Sequence, residues 1–541
     1  MSSAVMQTSI VERDAQRTQA SAASLKEQVK KERLPVLDGG LNTNASASEI
    51  APNESPAIVN LFVVQGQLRV DTGYKTLGAF DAEGVKGTPQ SVFRVNHSDG
   101  TVDTVLITTK AAYHLDTQGA WSRSDQTLNG EVNTPVSMVS YPPFDWVIIT
   151  NGIDPVFYFY LGQFKVMPFD VPNIVCRSLG VFHEQLLLQG LTESGVRHPR
   201  RVRTSDAGSP TAIRTIIEGA DTGIQAIYDL LDTDDDIHCG FPLGSWYILY
   251  RHTSIMRATY LGVLNQILFW EYMIQGDGAQ SVLGVAPITI ARTPAIHVVV
   301  GAFNVYAYKG DYALEPLADN IWQQHFSVTS NLNQMAKGNI WAQYVANWHE
   351  VWIGIPTGEY TIPDTVLRLA LGGKPGWFVR RFADQWLSAG SQLMRFEEDT
   401  AAPGVLLAGP GGVVEYDFVV PDDRGQLIRW SVETKDVGEG GTLSRFDRLL
   451  VRGQGAFDIG VEVSLDRGRS WRFVDVIDFR FAALAGVTFQ FVSEYLRVRL
   501  SGNDPSFRMT WMEIWSEFEG EWVPMQVLAP QPPAIGMGGT G

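Results

Sequence analysis

Residues 137–168 read SMVSYPPFDWVIITNGIDPVFYFYLGQFKVMP, and this passage sets the fold. A β-rich run is followed by a turn and then by an aromatic-bearing strand. β-branched and aromatic side chains favour the pleated, half-buried surface of a sheet. Pro142-Pro143, Asn151-Gly152 and Leu161-Gly162 interrupt the runs where tight turns are needed. Helical periodicity is scarce here, and alternation dominates.

The same arrangement recurs between Ser91 and Phe382. One version precedes the passage, SVFRVNHSDGTVDTVLITTKAAYHLDTQGAW at 91–121. Four follow it, beginning at Arg177, Ala226, Ala286 and Trp341. Six units at a spacing of roughly 40 to 60 residues lie in the range of propeller blades. Each unit alone is a small sheet with an unburied apolar face, and radial stacking buries those faces against neighbours. The expectation is an all-β chain with a β-propeller of about six blades over 37–390. The stretch ADNIWQQHF at 318–326 is read as an inserted turn of helix.

Working outward, residues 1–36 hold no aromatic residue and end in KEQVKKERLPV. They read as an extended or partly helical N-terminal arm that orders against a partner. After Arg381 comes the Gly/Pro-rich passage FEEDTAAPGVLLAGPGGVVEYDF, then strands such as LIRWSVETKD, FDIGVEVSLD and YLRVRLSG. Residues 391–525 are expected to form a β-sandwich-like domain, although they would also suit completion of the last blade. Residues 526–541 form a C-terminal tail.

Composition narrows the function classes. The 541 residues are 45% hydrophobic and only 19% charged, enough apolar surface for large cores. Acids outnumber bases by 59 to 42, a formal net charge of −17. That is the wrong sign for neutralising phosphates, although an acidic wall would let a duplex slide past without sticking. Cys176 and Cys239 stand far apart, without metal spacing, and read as two buried free thiols. No apolar stretch reaches the roughly 20 residues that span a bilayer, and the opening residues lack a signal peptide's apolar run.

Motifs for catalysis are missing where they would be expected. HEQLL at 183 and HEVWI at 349 lack the second histidine of a zinc-protease helix. No nucleophile elbow and no phosphate-binding glycine loop occurs. The run DTDDDIH from Asp232 to His238 has Ile237 and Leu243 where a calcium loop needs Gly and Glu, and reads as a solvated acidic loop. Arg177, Arg201, Arg251 and Arg380 are available for a carboxylate-binding triad, but nothing in their contexts selects three. Aromatics such as Trp146, Tyr158, Trp246, Tyr250, Trp341, Trp352 and Trp377 fit inter-blade packing better than a sugar face. The expectation is therefore no catalytic residues, no cofactor and no metal.

The sharpest local match is Ser464, Asp466, Gly468, Ser470 and Trp471, which fits the Asp-box turn found in sialidase-like propellers. Its role there is structural: Asp caps turn amides, Gly supplies a positive φ, and Trp packs beneath. Looser relatives are SDGT at 98–101, DTQGAW at 116–121 and SDAGS at 205–209.

Several strings together resemble the bacteriophage tail nozzle, or packaged-DNA stabilisation (head-completion), β-propeller family. They are GGLNTNASASEIAPNESPAIVNLFVVQGQLRVDTGY at 39–74, VFHEQLLLQGLTESG at 181–195, HVVVGAFNVYAYKGDYALEPL at 297–317, WSVETKD at 430–436 and SLDRGRSW at 464–471. The likeness runs over about 37–520, with Val70-Asp71 in place of an arginine-rich step. It implies a virion structural protein that forms a homo-oligomeric ring, usually a hexamer, beside portal, adaptor and other tail proteins. Genomic DNA would pass through the lumen without specific binding, with no membrane insertion by this chain. Two other classes remain open: a carbohydrate-active propeller on the phage tail, and a receptor-binding module.

Overall fold

In the computed structural model the described residues are 29–521, apart from 133–134, 214–224, 264–265, 291–292, 372–375, 383–388, 396–404, 410, 418, 456–457 and 481. The described residues are almost all β, with short 3-10 turns and one four-residue helix among them, Trp322–His325, at the expected place.

Each of the six sequence units centres on a four-stranded antiparallel sheet, although Ile227–Asp229, read with the fourth unit, is the last strand of the third. Blade 1 spans Pro89–Asn96, Val102–Thr108, Ala111–Leu115 and Trp121–Thr127. Blade 2 runs from Ser137 to Val166, blade 3 from Val175 to Asp229 and blade 4 from Ile237 to Gln275. Blade 5 runs from Val285 to Pro316, and blade 6 from Trp341 to Arg381. The second strand is well buried, wholly so in Glu350–Ile355 of blade 6, and the first strand of blade 3 lies against those of blades 2 and 4. Between blades 2 and 3, Tyr141, Ile148, Leu179, Leu186 and Leu188 share one core. Between blades 4 and 5, Ile248, Tyr250, Val299 and Tyr308 share another. Those aromatics are inter-blade packing, each large side chain contributing about 1.5–3 kcal/mol by its burial.

The gap between blades 6 and 1 is filled by a seventh sheet. It consists of Ala389–Arg395, Val405–Gly409, Gly412–Tyr416 and, as the outer strand, Tyr74–Thr76 from near the other end of the chain. Side chains on this sheet alternate between the two neighbours. Val405, Leu407, Val414 and Tyr416 pack with Trp341 and Trp352 of blade 6. Leu406, Ala408 and Val413 pack with Val92, Leu106 and Trp121 of blade 1. Period-two alternation with both faces buried is the geometry of a blade. The strands Ala389–Arg395, Val405–Gly409 and Gly412–Tyr416 thus complete the propeller, which moves the boundary expected at 390/391 downstream.

The rest of the C-terminal part is a two-layer sandwich. In one layer Trp430–Glu433, Tyr495–Gly502, Ile459–Ser464 and Arg472–Ile477 lie side by side. The other layer holds Leu484–Ser493, Thr442–Gln454, Arg508–Glu521, Gln67–Val70 and Leu61–Val64. Val29–Leu34 adds to it antiparallel to Arg508–Glu521. So part of the stretch expected to be a free arm is a sandwich strand, and residues 61–70, expected in the propeller, belong here too. Lys31 and Arg33 lie over the rings of Trp515 and Trp511, which helps to fix that strand. Residues 1–28 and 526–541 lie outside the described part.

Propeller and sandwich are not separable bodies. Ile58–Val59 pairs on one side with Gly376–Arg381 of blade 6 and on the other with Trp430–Glu433. One 12-stranded sheet therefore runs from blade 6 into the sandwich. A single core follows it, from Val298 and Leu367 in the blades to Phe446, Val461 and Ile514.

Candidate functional site

The end of the propeller where the first strands begin carries a cavity of about 270 Å³. Its wall includes Pro135 and Asn151 of blade 2, Arg177, Thr192 and Arg197 of blade 3, and Val282 on the approach to blade 5. Blades 2 and 5 are not neighbours, so their contributions can meet only toward the axis. Beside it, Gln90, Pro135, Leu283 and Asn339 surround a space of only about 10 Å³.

Electrostatics at the cavity are unusual for a chain with a surplus of acids. Arg177 is half-buried, and among the described residues its hydrogen bond is a long one, Nη1 to the Ile237 carbonyl at 3.4 Å. Burial lowers its pKa, with Asp236 opposing and Arg197 adding to the effect. Arg197 is largely exposed and donates to Asp236 at 2.7 Å. Behind them His238 is buried, with its Nδ1 lacking a partner, and burial pushes its pKa down to about 3. Among the described residues no carboxylate lines this cavity. The arrangement can attract an anion, whereas glycoside hydrolysis needs two carboxyl groups facing each other across about 5–9.5 Å.

The Asp-box residues lie elsewhere, in the sandwich hairpin between Ile459–Ser464 and Arg472–Ile477. Asp466 accepts from the Ser470 amide at 2.8 Å and from its hydroxyl at 2.5 Å. Ser464 accepts from the Gly468 amide at 2.8 Å and donates to Asp466 at 2.7 Å. These bonds, led by the Ser470 hydroxyl, hold the Asp466 pKa well below the ordinary value. Gly468 takes φ +85°, and Trp471 lies under the Arg499 guanidinium at 3.7 Å. All acceptor capacity is turned inward on the loop, so the hairpin offers no chemistry.

The acidic run is exposed at Asp232 and Asp234, as its sequence suggests, and buried at Asp235, and each of its carboxylates has a partner. Asp232 meets Arg251, Asp234 meets Arg200 and Asp236 meets Arg197, while Asp235 takes the Thr253 amide and the Thr253 and Ser254 hydroxyls. Of the four arginines considered as a triad, Arg201 is held by Glu193 and Asp229, and Arg251 by Asp232. Arg380 is in a separate buried network, leaving Arg177 alone at the cavity. Among the described residues no three His, Cys, Asp or Glu side chains are grouped to hold a metal ion. Both cysteines are buried and free, and burial pushes the Cys176 thiol up to about 12.

Sequence reasoning missed that buried network. Asp71 meets Arg368 at 2.5 Å and Arg380 at 3.4 Å, and accepts a hydrogen bond from the Tyr416 hydroxyl. Arg368 also pairs with Glu350 at 2.8 Å, and Arg380 with Asp423 at 2.6 Å. The Arg368 guanidinium lies about 4.5 Å from the rings of Phe62 and Trp348. Burial opposes its charge, yet Asp71 and Glu350 outweigh this and its pKa is raised. Arginines inside the apolar strands TVLRLA and GWFVRR were the available signal, because a charge there must be paired.

No family model matches the sequence, and no curated protein matches it. Among solved structures the chain is similar to a streptogramin B lyase at 10% identity and a TM-score of 0.37, over 64% of this chain and 97% of that one. It is similar to PorZ, a surface component of the type-IX secretion system of Porphyromonas gingivalis, at 10% identity and 0.35, over 74% and 46%. An exo-β-1,3-galactanase from Phanerochaete chrysosporium follows at 10% identity and 0.26, over 82% and 100%. At these values nothing about activity passes from them to this chain.

Proposed function

We propose that this chain is a non-catalytic structural protein of a bacteriophage tail, a building block of a ring around the DNA exit channel. The carrying observation is the 12-stranded sheet that welds propeller and sandwich into one rigid body. A part that must hold position around a pressurised channel benefits from such a join. The ordered resemblance over 37–520 supports the same reading. The DNA passage would lie between subunits, most simply six of them. The acidic surface balance would keep the duplex from adhering. Negative-stain imaging of the full chain with its phage's portal and adaptor tests this. Closed rings of about six subunits support it, and a monomer indifferent to both partners overturns it.

A second reading is favoured by the axial cavity: a binding propeller on the phage tail that contacts host glycans. Binding of the purified chain to host envelope or capsule preparations would separate it from a purely structural part.

A further inference from the structure

We infer that the axial cavity is a binding site for a compact oxyanion, a carboxylate or phosphate carried on a ligand of about monosaccharide size, received by Arg177 and Arg197. The inference deepens the glycan-binding reading and commits it to an acidic ligand.

The first argument is the state of Arg177. A guanidinium has five N–H donors in a planar fork that fits carboxylate or phosphate oxygens. Arg201, Arg251 and the fully buried Arg368 and Arg380 each have a carboxylate at ion-pair distance. Arg177 has instead one long bond to a carbonyl. Its other guanidinium nitrogens are not among the sealed, unpartnered polar atoms, so they stay open to a ligand that enters the cavity.

The second argument is shape. The space is near the lower end of the roughly 300–1,000 Å³ usual for small-molecule sites. Its wall combines apolar Val175, Pro199 and Val282 with the two arginines and Thr192, the pattern of a few oriented polar groups on an apolar lining. A duplex or a protein loop would not enter it.

The third argument is placement. Arg197 is tied to Asp236 on one side only and remains largely exposed. It can swing a free nitrogen toward a ligand while keeping that pair, so that two cations close on one anion. His238, neutral behind Arg177, adds no competing charge.

The test is calorimetric titration of the full chain with glucuronate, glucose and inorganic phosphate at low salt. Binding of glucuronate or phosphate, and none of glucose, is expected. Glucuronate alone points to an acidic glycan, and phosphate alone to a phosphorylated one. Arg177→Gln should weaken that binding at least tenfold, with an unchanged melting temperature showing that the variant folds. Val282→Phe, which fills the cavity and leaves both arginines in place, should weaken it comparably. Absence of binding by both anions, or binding that survives both substitutions, would overturn the inference. Capture of neutral host glycans with no anion binding would leave the glycan-binding reading standing and this inference refuted.

Discussion

Two arginines in low-dielectric surroundings, Arg368 beside the closing sheet and Arg177 at the axial cavity, are treated in opposite ways. Arg368 is fully buried and engages Asp71, Glu350 and three aromatic rings. Arg177 is half-buried and engages one carbonyl. Burial alone does not tell structure from function; the completeness of pairing does. Where the chain closes its propeller, each charge is answered by another drawn from a distant segment. Where the blades converge on the axis, a charge is left open.

The largest effect should come from breaking the paired region. Arg368→Leu leaves Asp71 and Glu350 buried without their cation, and should cost about 3–5 kcal/mol in chemical denaturation. A loss under about 1 kcal/mol would mean that Arg380 alone satisfies Asp71.

A backbone change at the same closure should come next. Gly73 packs so tightly that a Cβ there would lie 1.7 Å from the Asp422 carbonyl oxygen. Its amide also donates to the Val420 carbonyl at 2.7 Å. Gly73→Ala should therefore push the outer strand Tyr74–Thr76 away, costing about 1–3 kcal/mol or more. Faster hydrogen exchange confined to 72–76 and 412–423 would show that the closing sheet opens first.

A smaller, pH-dependent effect is expected between blades 1 and 2. His97 has Asp103 at 2.9 Å and Asp145 at 3.1 Å, and the Asp103 hydrogen bond raises its pKa against the opposing effect of burial. A raised folded-state pKa stabilises fully below the unfolded value near 6.5, and the benefit disappears as pH rises through the folded value. Asp145→Asn keeps a residue suited to the left-handed φ of 56° while removing the charge. It should lower the melting temperature at about pH 5.5 and much less at about pH 9. An equal loss at both would assign the effect to the turn and not to the ion pair.

Much of this architecture is legible in the sequence, and its failures have a common cause. The six blades follow from runs such as WVIIT and FYFYL broken by Asn-Gly and Leu-Gly, because hairpins are local. The Asp-box turn is likewise legible, its partners lying within eight residues. The seventh sheet is not legible, since Tyr74 must find Tyr416 across more than 300 positions and neither segment looks like a blade alone. The Asp71 network fails for the same reason, its members being spread from residue 71 to 423. Arg177 is visible as a residue but not as a site, because only the meeting of blades 2, 3 and 5 makes a cavity around it.

Thermal unfolding of Arg177→Leu beside Arg368→Leu, without ligand, tests the central contrast most directly. The account predicts a marked fall for Arg368→Leu and a value for Arg177→Leu within about 1 kcal/mol of the parent or above it. Comparable destabilisation by the two substitutions would contradict it, making Arg177 one more structural cation.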